Sequence, residues 1–233
     1  AGDSYDGGDG IDVIAFNADM TDGASTLQSF SNFEVLRLNA TGADTITMSN
    51  LLNTQATIST IQYGDAGGNT MTVNNVGDSV TDIQLGINAA SVTGDTVVMD
   101  RLVDASANTL TITHDSGGAA ANVTAVTVDD EETITITTAT AADDLTIAAL
   151  NSDDLATLNL TGAGDIVITA FTAATDMPTT VDATNLTGAS TVPLTTAVTA
   201  VTMHGGSGID TFTGGLLADT INGNAGDDIL SGG

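Results

Sequence analysis

The feature that most constrains this chain is a repeat of nine residues near its C-terminus. Residues 205–231 divide into GGSGIDTFT, GGLLADTIN and GNAGDDILS, which match the template G-G-x-G-x-D-x-U-x, where U is a large apolar residue. The two departures are Leu217 for the glycine at the fourth position of the second copy and Asn224 for the glycine at the second position of the third. Asp210, Asp219 and Asp228 occupy the sixth position of the template. The glycines permit tight, partly left-handed turns, and each aspartate adds a hard anionic oxygen. These residue types favour a calcium site, because calcium binds about six or more oxygen ligands.

A further copy of the repeat lies at the other end of the chain. Residues 7–15, GGDGIDVIA, match the full template and place Asp12 at its sixth position. Gly7 and Asp9 belong to the same copy, and Asp3 fits the tail of the copy before it. Because the pattern is cut at both ends, we expect the parent protein to continue in both directions. Three regions follow, the end of one repeat block (1–15), a middle region (16–203) and the start of a second block (204–233).

The middle region alternates apolar and polar residues many times. Runs such as TLTIT (109–113), TITIT (133–137) and IVIT (166–169) have the period of two that indicates β-strands, and Gly, Asn, Asp and Ser separate them. Short, regular strands suit a sandwich, a barrel or a solenoid, and the small β-branched core residues favour the solenoid. We therefore expect an all-β fold, a parallel β-roll or β-solenoid. Helix is expected to be limited to a turn or two in residues 27–36 and 141–150.

The charge balance limits the possible partners. The chain has 30 acidic residues against two basic ones, Arg37 and Arg101, and its formal net charge is −28. Binding to nucleic acid or to an anionic membrane surface needs a basic footprint, which this chain lacks. No run approaches 18 apolar residues, so membrane insertion is not expected, and without cysteine there are no disulfides. The hydrophobic share of 41% is too high for a disordered acidic tail, so we expect a folded chain whose partners are hard cations.

The nonapeptides resemble those of the RTX family of secreted bacterial proteins, whose repeats wind a parallel β-roll around calcium. The Thr/Ala/Val-rich, lysine-free middle region is similar in style to RTX-type surface-layer (S-layer) proteins of the Caulobacter group. The resemblance implies that each calcium ion lies between copies 18 residues apart. The implied ligands are Asp210 and Asp228 with the carbonyls of Gly205, Ser207, Asn224 and Gly226 in one complete site, and Asp219, Asp12, Asp3, Gly7 and Asp9 in incomplete sites.

Two of these aspartates have no acidic partner at that spacing within the sequence. Asp219 would pair with a residue near position 237, and Asp12 would pair with Phe30, whose side chain cannot bind a metal. We therefore expect half-sites at both ends of the chain, with the partner of Asp12 upstream of residue 1.

Other polar residues are weaker candidates. Solvated turns explain the acidic pairs of the middle region, although further ions would help to offset the charge. The only two histidines are expected to be surface or turn residues rather than catalysts. The acidic pairs are Asp129–Glu132, Asp143 with Asp144, and Asp153 with Asp154, and the histidines are His114 and His204. Asp44 and Asp165 lie in segments that resemble half a nonapeptide and are further candidates.

The expected function is that of a structural, non-enzymatic building block on the surface of a bacterial cell. The resemblance implies self-association into a two-dimensional lattice, type I secretion, and calcium as the cofactor that folds each subunit and bridges its neighbours. Contacts to cell-surface polysaccharide would come from parts of the parent protein outside this chain. Two alternatives stay open, the stalk of an RTX adhesin and the accessory solenoid of a secreted polysaccharide lyase or epimerase. Such a lyase needs a basic residue beside the uronate, and only Arg37 and Arg101 could serve.

Overall fold

The computed structural model describes residues 4–16, 29–39, 43–48, 57–64, 68–86, 93–104, 107–172 and 177–233. These residues form 23 β-strands and no α-helix. All strand pairings among them are parallel. The fold is a β-solenoid, which confirms the fold class expected from the sequence.

The largest element is a 10-stranded sheet, called the broad sheet, to which successive turns each add one strand. Alternate residues of its strands face the interior, because side chains in a strand point to opposite faces in turn. Its strands, in spatial order, are β2 (Val13–Phe16), β4 (Val35–Leu38), β6 (Thr60–Tyr63), β8 (Asp82–Leu85), β10 (Thr109–His114), β13 (Thr133–Thr138), β16 (Thr157–Gly162), β18 (Thr180–Leu186), β20 (Thr202–His204) and β22 (Thr220–Asn222).

Two smaller sheets form the other sides of the solenoid. The second sheet has six strands, β11 (Ala121–Val123), β14 (Leu145–Ile147), β17 (Ile166–Ile168), β19 (Ser190–Pro193), β21 (Asp210–Thr213) and β23 (Ile229–Ser231). The third sheet has five strands, β5 (Asp44–Thr47), β7 (Thr70–Val76), β9 (Thr96–Arg101), β12 (Ala125–Val128) and β15 (Leu150–Asn151). At the N-terminal end, β1 (Ser4–Asp6) pairs with β3 (Ser29–Ser31).

The length of a turn changes along the solenoid. In the middle, Leu110, Ile134 and Leu158 are register partners, so one turn takes 24 residues and contributes a strand to each of the three sheets. At the C-terminal end Thr211 pairs with Ile229, so one turn takes 18 residues, which is two nonapeptides. These short turns add strands only to the broad and second sheets. The three-sided middle therefore gives way to a two-sided roll.

The interior is a continuous stack of aliphatic side chains contributed by successive turns. Ile112, Ile136 and Leu160 follow one another across β10, β13 and β16, and all three are fully buried. Stacking small and branched side chains in this way fills the core without many aromatic rings. Phe212 of β21 continues this stack into the short turns and is fully buried, while its register partner Leu230, in the last turn described, is 45% exposed.

Two expectations about local structure are wrong. Within the two segments where a turn of helix was expected, the described residues form β3, β4 and β14, because these short runs pair with strands of adjacent turns. His114 is not a surface residue but lies at the buried end of β10, where it is 1% exposed. Its Nδ1 and Nε2 lie 3.0 Å from the carbonyl oxygens of Leu85 and Ala119, respectively.

Candidate metal centre

The C-terminal nonapeptides place their aspartates at two different corners of the roll. Asp210 is the first residue of β21, and Asp228 directly precedes β23, the next strand of the second sheet. Asp219 directly precedes β22 in the broad sheet. The backbone N–H of Asp210 donates to Asp228 Oδ1 at 3.0 Å across one turn. The spacing of 18 residues therefore brings Asp210 and Asp228 together and leaves Asp219 at the other corner.

The carboxylate of Asp210 is fully buried and accepts three hydrogen bonds. Its Oδ1 accepts from the backbone N–H and the hydroxyl of Ser190, at 3.0 and 2.6 Å, in the turn below. Its Oδ2 accepts from the backbone N–H of Gly206 at 2.7 Å. Burying a charge is unfavourable unless it is hydrogen-bonded, and these three donors meet that condition. Asp210 thus joins two turns and closes its own glycine turn.

Asp219 makes the same pair of contacts at its own corner. Its Oδ1 accepts from the backbone N–H of Val201 at 2.9 Å, 18 residues earlier, and its Oδ2 accepts from the N–H of Gly215 at 2.8 Å. The recurrence at two corners shows what the sixth position of the template does structurally. One carboxylate oxygen caps the turn below, and the other caps the second glycine of the same repeat.

The first glycine of each repeat is required by the aspartate five residues later. A Cβ atom added at Gly205 would overlap Asp210 Oδ2 and the carbonyl oxygen of Gly223 in the next turn. Added at Gly214 or Gly223, it would overlap Oδ2 of the aspartate of the same repeat. Any larger residue would therefore push the carboxylate out of its place.

The carbonyls expected as ligands line the same turns, and one of them, that of Gly205, already accepts a hydrogen bond. Gly205 O accepts from Asn224 Nδ2 at 2.6 Å, and Gly206 O accepts from the N–H of Ala225 at 3.2 Å. Asn224 has a φ of 62° and Gly226 a φ of 131°, so the turn after Gly223 uses left-handed backbone conformations. Asparagine tolerates this region better than other non-glycine residues, which explains its presence where the template has glycine. Ser207 is exposed, and its N–H donates to Leu186 O at 3.1 Å.

This corner fits calcium in its donor chemistry. Asp210 Oδ2 and the carbonyl oxygen of Gly223, from adjacent turns, both lie beside Gly205, and calcium prefers oxygen ligands of these types. Each carboxylate oxygen has more than one lone pair, so an oxygen that accepts an N–H can still bind a cation. The residues that would hold the ion are Asp228 and Asp210, with the carbonyls of the turns around Gly205 and Asn224.

The N-terminal nonapeptide shows a difference from the expected spacing. The turn that follows Asp12 is 22 residues long, and it places Glu34, not Phe30, beside Asp12. The N–H of Asp12 donates to Glu34 Oε2 at 2.9 Å, the same contact that Asp210 makes with Asp228. The register that would place Phe30 opposite Asp12 is therefore wrong, and an acid, Glu34, lies beside Asp12 on the downstream side. The signal that could have found Glu34 is an acid directly before a strand. A partner upstream of residue 1 stays a prediction.

The other N-terminal candidates contribute less. A Cβ at Gly7 would overlap Asn32 O and meet Asp12 Cβ at 2.8 Å, so the first glycine of this copy is constrained like the others. Asp9 is exposed. Asp3 lies outside the described residues, as does the side chain of Asp44.

Acids of the middle region also cap backbone N–H groups of neighbouring turns. Asp143 is fully buried, and its Oδ1 accepts from the N–H and hydroxyl of Ser116 and from the N–H of Gly118. Its Oδ2 accepts from the N–H and hydroxyl of Thr140. Burial alone would raise the pKa of Asp143, but these hydrogen bonds together hold it well below its usual range. Asp165 Oδ1 likewise accepts from the N–H of Ala189 at 2.7 Å.

A second acidic corner lies between the third and broad sheets. Carboxylate oxygens of Asp104, Asp130 and Asp154, from three successive turns, lie within 4.8 Å of one another. Burial raises the pKa of Asp130, and the carboxylates of Asp104, Asp153, Asp100 and Asp154 raise it further. The acids at 129–132 and 153–154 stand out in the sequence as pairs, whereas Asp104 does not, because it is an isolated acid whose place in the stack only the turn lengths reveal.

The two arginines are both engaged in contacts within the solenoid. Arg101 lies in the interior, where its Nε donates to Glu131 Oε1 at 2.6 Å and its Nη1 donates to the carbonyls of Gly77 and Val80. Burial raises the pKa of Glu131, although its contact with Arg101 opposes this. Arg37 Nε donates to Gln62 Oε1 at 2.6 Å on the outside of the broad sheet.

Comparison with models of known protein families, with curated proteins and with solved structures finds no match to this chain. Among the described residues, no helix has the length and apolar character that crossing a bilayer would require.

Proposed function

We propose that this chain is a calcium-dependent structural building block of an extracellular bacterial surface array. The observation that carries the proposal is the repetition of one corner geometry by the nonapeptides. Each repeat presents a carboxylate at a glycine turn, and at the second-sheet corner Asp210 and Asp228 lie on adjacent turns, joined through the N–H of Asp210. The resemblance to RTX nonapeptides supports calcium as the ion and a cell-surface location.

The mechanism is linkage between ion binding and folding. A net charge of −28 on 233 residues opposes compaction, since the 30 acids have only two arginines to balance them. At low calcium, as in a cytosol, this repulsion keeps the chain expanded and competent for type I secretion. Outside the cell, an ion that binds only the folded state stabilises it by mass action. The same binding at the edges of subunits would join neighbours into a lattice.

The stalk of an adhesin is a second candidate, and the unbranched stacking of turns favours it. In that role the same calcium-bound turns would stiffen a spacer and no lattice would form. Electron microscopy of negatively stained protein after calcium addition separates the two candidates. The array predicts sheets, whereas soluble rods would support the stalk. An accessory part of a lyase is the third candidate, and formation of an unsaturated uronate product by the chain would overturn the non-enzymatic role.

The calcium proposal is tested by circular dichroism during titration with calcium, with magnesium as the control ion. We expect the β-sheet signal to grow with calcium and not with equal magnesium, because magnesium needs a stricter octahedral site. Asp228→Asn should raise the calcium midpoint about 10- to 100-fold. Asp115→Asn is the matched control, because it removes the same charge from an exposed residue of the middle region. Equal midpoints for the two variants, or a full β signal without calcium, would contradict the proposal.

A further inference from the structure

The outer face of the broad sheet carries little charge compared with the corners of the solenoid. Its ten described strands contain only two of the 30 acids, Asp82 and Asp182, and one of the two arginines, Arg37. The second sheet is also poor in charge, since its described strands contain only the buried Asp210, but it has six strands against ten. The corners between the sheets hold acids in clusters, such as Asp130 with Asp104 and Asp154. The broad sheet is therefore the largest nearly neutral face among the described residues.

The centre of this face is a regular array of threonines. Three neighbouring strands, β10, β13 and β16, pair in register over six residues each. Side chains at alternate positions point outward and form three rows of three, about 5 Å apart across the strands and about 7 Å apart along them. Every position is uncharged, and the nine residues are Thr109, Thr111, Thr113, Thr133, Thr135, Thr137, Thr157, Asn159 and Thr161.

Hydrogen bonds between turns hold the side chains of this face in place. Thr137 Oγ1 lies 2.8 Å from Thr161 Oγ1, and Asn159 Nδ2 lies 3.3 Å from Thr135 Oγ1. Towards the N-terminal end, a ladder of polar side chains continues from Gln62 Nε2 to Gln84 Oε1 at 2.9 Å, and from Gln84 Nε2 to Asp82 Oδ2 at 2.7 Å. Threonine is also stiff at χ1. Docking on such a face would therefore cost little side-chain entropy.

We propose that this face is the surface through which two copies of the chain associate. The inference rests on the proposed function, because an array requires contact between copies. Two molecules of net charge −28 repel wherever their acidic corners approach, and the broad sheet is the largest described face on which they can meet with few carboxylates. Ten strands at about 4.8 Å spacing and about 13 Å of strand length give roughly 600 Å² per copy, near the lower end for a specific interface.

The positions of the charges favour one orientation of the two copies. If the solenoid axes ran parallel, face to face, Arg37 would oppose Arg37 and Asp182 would oppose Asp182. Alternatively, the two solenoid axes run antiparallel and are related by a two-fold axis. If that two-fold axis is parallel to the strands and passes between β10 and β13, strand β4 of one copy lies over strand β20 of the other. Arg37 of each copy then reaches the part of the other face that carries Asp182 and His204. The antiparallel pair is therefore the expected one.

The test compares two lysine substitutions that change the net charge equally. Thr135→Lys places a lysine next to the two-fold axis, where it meets its own counterpart, whereas Thr146→Lys places it on β14 in the second sheet. A general charge effect would strengthen association in both variants, since both reduce the negative charge. We expect Thr135→Lys to weaken association about tenfold or more and Thr146→Lys not to weaken it. Sedimentation and light scattering in millimolar calcium measure the association.

A charge exchange provides a second and independent measurement. Arg37→Asp should weaken association, and Arg37→Asp combined with Asp182→Arg should restore it. Calcium-dependent circular dichroism on the same samples shows whether each variant folds and tests the proposed function separately. If wild type, Thr135→Lys and Thr146→Lys all fold on addition of calcium and associate equally well, the proposal that copies associate through this face is wrong, while the proposed function still stands. A wild-type chain that stays monomeric at its highest soluble concentration would also overturn the proposal about this face, whereas folding that needs no calcium would instead contradict the proposed function.

Discussion

The middle of the solenoid and its C-terminal end are stabilised in different ways. Around β13 a turn takes 24 residues and places aliphatic side chains such as Ile136 and Leu160 on top of one another, fully buried. Around β21 a turn takes 18 residues, and its apolar residue Phe212 is fully buried as well. The short turns are held in addition by aspartates that cap N–H groups and by glycines that make room for them. Core burial therefore supports both regions, whereas the short turns also depend on their polar corners and, in our proposal, on calcium.

The largest expected effect sharpens this contrast within the core. Ile136→Ala should destabilise the protein by about 2–5 kcal/mol, because it leaves a cavity between Ile112 and Leu160. Leu230→Ala, at the exposed end, should cost less than about 1 kcal/mol. Urea unfolding followed by circular dichroism, at fixed calcium, measures both. Similar losses for the two variants would mean that Leu230 is packed as tightly as Ile136, contrary to its exposure here.

A second prediction concerns pH and the buried polar corner at Asp143. Its folded pKa is lowered, so its contribution to stability is complete above the ordinary aspartate value of about 3.9 and is lost as the pH falls towards the folded pKa. Asp143→Asn should cost about 3 kcal/mol at neutral pH, because an amide nitrogen would face the N–H donors of Ser116, Gly118 or Thr140. The difference from wild type should shrink below about pH 4. A difference that is constant over the acid range would contradict this origin.

The smallest expected effect compares two glycines in the C-terminal roll. Gly205→Ala should cost about 1–3 kcal/mol, because its Cβ would overlap Asp210 Oδ2 and backbone of the next turn. Gly232→Ala should be nearly neutral, since a Cβ there meets nothing within 4 Å. Thermal unfolding in the presence of calcium measures the loss of stability of each variant. If Gly205→Ala proved as mild as Gly232→Ala, the tight fit between glycine and aspartate would not contribute to the stability of the end.

The sequence predicts those parts of the molecule that depend on local pattern. Alternation of apolar and polar residues identifies the strands, and the nonapeptide spacing brings Asp210 onto the turn next to Asp228. Turn lengths outside the nonapeptides vary, and no local signal fixes them. That is why the 22-residue step that places Glu34 beside Asp12 was missed.

Burial of polar side chains likewise could not be predicted from the sequence. His114 lies at an inward-facing position of β10, and its two carbonyl partners come from a neighbouring turn and from a loop. Glu131 belongs to an acidic run that looks solvated, yet it enters the interior because Arg101 lies 30 positions earlier and meets it there. Both depend on contacts across turns rather than on neighbours in the sequence.

The stacking of turns in the broad sheet has a consequence for how such a chain can change length. Each strand there pairs with the strands one turn before and one turn after it. A whole turn can in principle be inserted or deleted with new partners needed only at the junction, because stability in such a fold is a sum of rungs and the interfaces between them. Gene duplication can therefore extend the molecule in whole rungs while the rungs already present keep their structure.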